Sequence, residues 1–196
     1  MNYINGYNEV TPYDGSTERL SPGGHICKVM EVRPDKDSKG NDRLLIALEI
    51  AEGSKYDGLY ARRYKSLKSD NPNAKWPCVV RQYLLDQDGM CSPYFKGFIK
   101  SVEDSNDRYK WNWDEKTLAG RYVGVIFREE EFVNNNGEVR STVKPIWFRS
   151  VQTIKDGVDV PEPKRVAKSN AGSFPGFSGQ SEQVGFTEVS TDTLPF

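Results

Sequence analysis

The cleanest pattern in the chain lies at residues 43–52, where Leu44, Ile46, Leu48 and Ile50 alternate with Ala47, Glu49 and Ala51, which predicts a half-buried strand. Ahead of it, residues 25–33 carry Ile26, Cys27, Val29, Met30 and Val32 between Gly23-Gly24 and Pro34, and read as another strand. The polar turn 35–42 places Asp35, Asp37 and Gly40 as a calcium loop would. Lys39 and Ile46 then stand where ligands are required, so a hairpin loop is expected. After a turn at 53–58, residues 59–65 read as a third strand. Residues 76–85 predict a helix with Pro77 in its first turn. A better-marked helix opens with Ser92 as N-cap and Pro93 at its first position, carries Phe95, Phe98, Ile99 and Val102 at helical spacing, and ends by Ser105-Asn106. Tyr109, Trp111 and Trp113 alternate with polar neighbours until Gly120. Two last strand-like runs, 121–133 and 138–151, flank Asn134-Asn135-Asn136-Gly137, and Asn-Gly there is a strong hairpin signal.

The order is three strands, a helical insertion of roughly 40 residues, then a two-stranded hairpin. A mainly β fold is expected: a five-stranded OB-type barrel with the helical insertion between strands 3 and 4, a layout whose face and loops bind oligonucleotides. Residues 1–22 form an arm without a clear period, and 23–160 the domain. Residues 161–196, rich in Gly, Ser, Pro and Gln, form a flexible, disordered tail. Trp147 is expected in the core.

Charge narrows the function only locally. Beyond residue 160, three cations oppose four carboxylates, so the first 160 residues hold 24 of each sign and sum to zero. Any anion site must come from charge gathered on one face. Residues 60–83 provide such a run, with Arg62, Arg63, Lys65, Lys68, Lys75 and Arg81 against Asp70 alone, interleaved with Tyr60, Tyr64, Trp76 and Tyr83. Cations and flat rings are what single-stranded DNA requires, for phosphates and unstacked bases respectively. If 59–65 is a strand, Arg62 and Tyr64 share one face and Arg63 and Lys65 the other. The candidate DNA-binding residues are Arg62, Arg63, Tyr64, Lys65, Lys75, Trp76, Arg81, Trp111 and Trp113. A solvated edge strand is the bland alternative for the patch, and a lid over the core is the alternative for the two tryptophans.

Catalysis finds little support. His25 is the single histidine and sits inside a predicted strand, where a structural role is expected, and no GK[ST] or GxGxxG loop is present. Glu129, Glu130 and Glu131 read as a solvated strand end. Neither a metal nor any cofactor is expected. Cys27, Cys78 and Cys91 lack CxxC spacing and read as reduced thiols. No apolar run approaches a membrane span of about 18 residues and residues 1–20 carry no signal-peptide core, so a cytoplasmic protein without a membrane partner is expected. A homo-oligomer is compatible with the sequence.

The tail closes on Thr191-Asp192-Thr193-Leu194-Pro195-Phe196, an acidic-apolar handle with one aromatic anchor. This tip resembles that of bacterial-type single-stranded-DNA-binding proteins, in which a disordered linker ends in an acidic Pro-Phe sequence. Asp192, Leu194, Pro195 and Phe196 match, while Thr191 and Thr193 stand where more Asp is usual. The body also resembles a family of small single-stranded-DNA-binding proteins of phages and prophages of Gram-positive bacteria, through Ile50-Ala51-Glu52-Gly53, residues 94–100, Trp111-Asn112-Trp113-Asp114 and Phe127-Arg128-Glu129-Glu130. The resemblance implies sequence-independent binding of single-stranded DNA in phage DNA replication and recombination inside the bacterial cell, with the tip recruiting replication and recombination proteins. A non-catalytic interaction module and, less favoured, a carboxylate-metal nuclease are the alternatives.

Overall fold

The structure, a computed structural model, describes residues 3–5, 7–8, 18–51 and 53–166. The tip residues Asp192, Leu194, Pro195 and Phe196 lie outside them. The elements are β1 (Gly23–Lys36), β2 (Asp42–Ile50), α1 (Leu59–Asp70), β3 (Val79–Tyr83), α2 (Pro93–Ser105), β4 (Tyr122–Val133), β5 (Val139–Arg149) and α3 (Val151–Asp156). All five strands join one antiparallel sheet in the order β3-β2-β1-β4-β5. The strand count matches the expectation, but the sheet is not closed by hydrogen bonds between its end strands.

Two elements differ in kind from the sequence reading. Residues 59–65, expected as a strand, begin α1. The sequence LYARRYKSLK is built of good helix formers, and Leu59 and Tyr60 bury its first turn. Gly58, at φ 64°, gives no side-chain cap, and the buried carboxylate of Glu49 takes that role. Its oxygens accept the backbone N–H groups of Ile50, Tyr60 and Ala61 at 2.8, 2.9 and 2.5 Å. Residues 76–85, expected as a helix, supply instead the end strand β3. The β-branched Val79 and Val80 favour an extended chain, and β2 offers an open edge for it, from Ala47 opposite Val79 to Arg43 opposite Tyr83. The expected single insertion between strands 3 and 4 is thus two separate helices, α1 before β3 and α2 after it.

β2 was expected half-buried. Leu44, Ile46, Leu48 and Ile50 do point into the core, but Leu45 and Glu49 on the reverse face are buried as well. α2 lies where expected, with Phe95, Phe98 and Val102 buried. Pro93 occupies its first turn, although the Ser92 hydroxyl makes no capping hydrogen bond. The hairpin closes through the Asn134 N–H donating to Glu138 O at 2.9 Å, with Gly137 at φ 77°.

Two bulges decide which side chains enter the core. In β1, Cys27 and Val29 face inward opposite Ile50 and Leu48. An irregularity before Glu31 then brings Val32 inward opposite Ile46 and leaves Met30 out. Between β4 and β5 the register shifts at Ile126/Phe127, so that Phe127 pairs with Pro145 and Ile126 with Trp147. Val143 packs on the core before the shift and Phe148 after it.

The chain flanking the sheet is tied to it. Leu20 is buried, Arg62 pairs with Glu18 at 2.8 Å, and Arg19 donates to Ser141 O at 2.5 Å. At the other end, Lys164 forms a parallel bridge with Glu130, and Arg165 pairs with Glu131 at 2.6 Å. Among the described residues no helix is long and apolar enough to cross a membrane.

Candidate nucleic-acid interface

The two end strands of the open sheet line a common cleft of about 810 Å³. β3 contributes Val79 to Tyr83 and β5 contributes Thr142 to Arg149. α2 contributes Pro93, Tyr94, Gly97 and Phe98. The sheet curls around α2, whose Phe98 ring lies 4.6 Å from that of Phe148 on β5. Among the described residues, Arg63, Arg81, Lys144 and Arg149 line this cleft, and no Asp or Glu does. Lys144 has a counter-charge behind it, Glu130 at 3.5 Å. Arg128 holds the Glu130 carboxyl below its ordinary pKa.

Flat side chains stand beside these cations. Tyr94, on the outward side of α2, is 70% exposed. Trp147 is 43% exposed, with the Arg149 guanidinium 5.8 Å over its ring. This corrects the expected core position of Trp147. Strict alternation from Val143 would turn it inward, and the extra residue of the bulge turns Phe148 inward instead. Tyr83 is exposed on β3, its hydroxyl 3.2 Å from the Asp37 carboxylate. The floor is neutral, because burial pushes the Cys78 thiol up to about 12 and the Tyr60 hydroxyl well above its usual range.

Of the nine candidate residues, Arg63 and Arg81 reach this cleft. Arg62 does not; it points to Glu18 and to the Asp57 carbonyl. The reason is helical geometry, since neighbours on α1 diverge by about 100° rather than alternating. Tyr64, Lys75 and Trp76 line a second cavity of about 580 Å³ on the other side of β3. Trp76 is fixed there by its Nε1–H donating to Leu48 O at 2.8 Å, with the Tyr64 ring 5.3 Å away. Lys65 is exposed and lines neither cavity.

Trp111 and Trp113 also line neither. Trp111 packs edge-on against Phe95 at 5.3 Å, which makes it a lid on the core. Trp113 rests 4.5 Å from Trp111, is 80% exposed and has φ 67°. Tyr109, the third member of that alternation, is buried and hydrogen-bonded to Thr117 at 2.9 Å. The cleft residues that the sequence reading missed are Tyr94, Lys144, Trp147 and Arg149. An exposed aromatic at the second position of a well-marked helix was the available signal for Tyr94.

His25, half-buried, has its ring 5.6 Å from Tyr56 and 5.5 Å from Phe127, and Nε2 is 2.8 Å from Ser21 O. Among the described residues no group of three or more His, Cys, Asp and Glu is placed to hold a metal ion. A scan against protein-family models and a search of curated proteins find no match for this chain.

Proposed function

We propose that the protein binds single-stranded DNA without reading its sequence, along the cleft between β3 and β5. The observation that carries this reading is the composition of that cleft: four cationic side chains, no carboxylate among the described residues that line it, and the exposed Tyr94 and Trp147 in the same lining. A polyanion whose bases are unstacked satisfies both halves of that surface at once. Base stacking is worth about 1–3 kcal/mol per base and is tolerant of sequence. The strand order β3-β2-β1-β4-β5, with a helix between β3 and β4, supports reading the sheet as an OB-type barrel left open between its ends.

In this reading the tail carries Asp192, Leu194, Pro195 and Phe196 as a handle for DNA replication and recombination proteins, as in the bacterial-type single-stranded-DNA-binding proteins that the tip resembles. A flexible tether raises the local concentration of such a partner at the bound strand. Truncation before Asp192 then removes recruitment while leaving DNA affinity equal or slightly higher, because Asp192 no longer competes for the cations.

A labelled oligo-dT of about 40 nucleotides, several times an OB site of roughly 4–16, tests the proposal. Retardation at low salt, with quenched tryptophan fluorescence and weaker binding to duplex of equal length, is the expected result. Failure to retard the oligonucleotide at low salt sinks the reading.

A further inference from the structure

Strand β3 separates the cleft from the second cavity, and Val79 lines both. β3 is an end strand of five residues, so a ligand in the cleft can pass over it without displacing a paired neighbour. Along it, Val80 packs on the core and Gln82 is buried, so Val79, Arg81 and Tyr83 share the outward face. Arg81 therefore stands on the lip, lining the cleft while belonging to the face from which Val79 enters the second cavity.

The chemistry of that cavity repeats what the cleft offers. Leu45, Ala47 and Val79 form an apolar floor, and Tyr64 and Trp76 stand as ring walls. Its charged residues are Lys75 and the Arg33–Glu31 pair, whose members meet at 2.6 Å and cancel. Lys68 adds a cation 5.3 Å from the Tyr64 ring. Trp76 cannot swing freely, because its indole N–H is committed to the Leu48 carbonyl. A ring held in place by a hydrogen bond to a neighbouring strand loses little freedom when a base stacks on it.

From this arrangement we infer that the bound strand does not end in the cleft: it crosses β3 at Arg81 and places its next bases against Tyr64 and Trp76, with Lys75 on the phosphates. The inference rests on the cleft being the primary DNA site and adds a second, dependent subsite on the reverse face of the sheet.

Oligo-dT of about 5 and about 20 nucleotides, the lower and upper ends of single-domain footprints, separates the two claims by fluorescence anisotropy. Lys75→Glu and Met30→Glu, the latter changing a 44% exposed residue of the cavity wall, are each expected to weaken binding of the long oligomer roughly tenfold while moving the short one less than about twofold. Ultraviolet cross-linking of the unmodified full-length chain gives a readout that no substitution disturbs. Adducts at Tyr64 or Trp76 are expected with the long oligomer and not with the short one. Wild-type affinity of both variants for the long oligomer, or cross-links confined to cleft residues, overturns the crossing and leaves the cleft reading standing. Loss of binding at both lengths in Lys144→Glu/Arg149→Glu, on β5 and away from the crossing, reports on the cleft alone.

Discussion

Glu49 on β2, only 7% exposed, caps the first turn of α1 by accepting the backbone N–H of Tyr60 at 2.9 Å. Since Gly58 brings no side chain to that helix start, the N–H groups of Tyr60 and Ala61 held by Glu49 would otherwise be left to find other partners. Glu49→Ala is expected to cost about 2–3 kcal/mol, lowering the melting temperature by roughly 4–12 °C for a chain of this size. DNA affinity should fall with it, because α1 carries Arg63 to the cleft. Calorimetry of the variant, with an unchanged melting temperature as the contrary result, checks this.

The proposed binding of DNA by the cleft cations predicts a salt dependence. Each neutralised phosphate adds about 0.7 to the slope of log affinity against log salt for single strands. Arg81→Glu/Lys144→Glu should flatten the slope by about 1.4 and weaken binding at least about tenfold at low salt. A titration series at several salt concentrations reads both. An unaltered slope would mean that these side chains do not meet phosphates.

Trp147, expected in the core, lines the cleft, whereas the candidate Trp113 lies outside both cavities. Trp147→Ala should cost about 1–3 kcal/mol of oligo-dT affinity, the value of one stacked base. Trp113→Ala, outside both cavities, should change affinity less than about twofold, although Trp113 is the more exposed ring. Equilibrium titrations of the pair decide between them, and a larger loss in Trp113→Ala would move the interface away from the cleft.

His25 links stability to pH. Burial among Tyr56 and Phe127 is the main cause holding its pKa below the ordinary 6.5, with Lys55 adding to it against the opposing Ser21 hydrogen bond. The folded protein keeps the ring neutral while the unfolded chain takes up a proton near 6.5, so stability is full above that pH and declines as pH drops below it. Urea midpoints at about pH 7.5 and pH 5.5 should therefore differ more in wild type than in His25→Phe. Equal differences would remove the histidine from the account.

Gly124 on β4 has no room for a side chain. A Cβ there would stand 2.7 Å from the Ser150 carbonyl oxygen and closer still to Ile154, and one at Gly24 would meet Val158 at 2.6 Å. Gly124→Ala should cost about 1–3 kcal/mol by forcing α3 off the sheet. Chemical denaturation measures it, and a neutral result would show that α3 is not docked there.

Much of this protein was legible as pattern. The alternation from Leu44 to Ile50, the Asn-Gly turn, the Pro93 helix start and the cationic run from Arg62 to Arg81 are local signals, fixed by the period of an element and by turn chemistry. They were enough to expect five strands and a cationic, ring-bearing surface. Long-range contacts decided the rest. Whether 59–65 became helix or strand depended on Glu49 waiting at the helix start, and within 76–85 residues 79–83 became a strand because β2 had an edge to fill.

Which tryptophan reached the cleft was settled by one extra residue in β5. A bulge reverses the parity of every side chain beyond it and exists only relative to the partner strand β4. Sequence periodicity specifies faces within an element. Tertiary pairing specifies which face looks inward, and that choice packed Phe148 against the core and left Trp147 exposed.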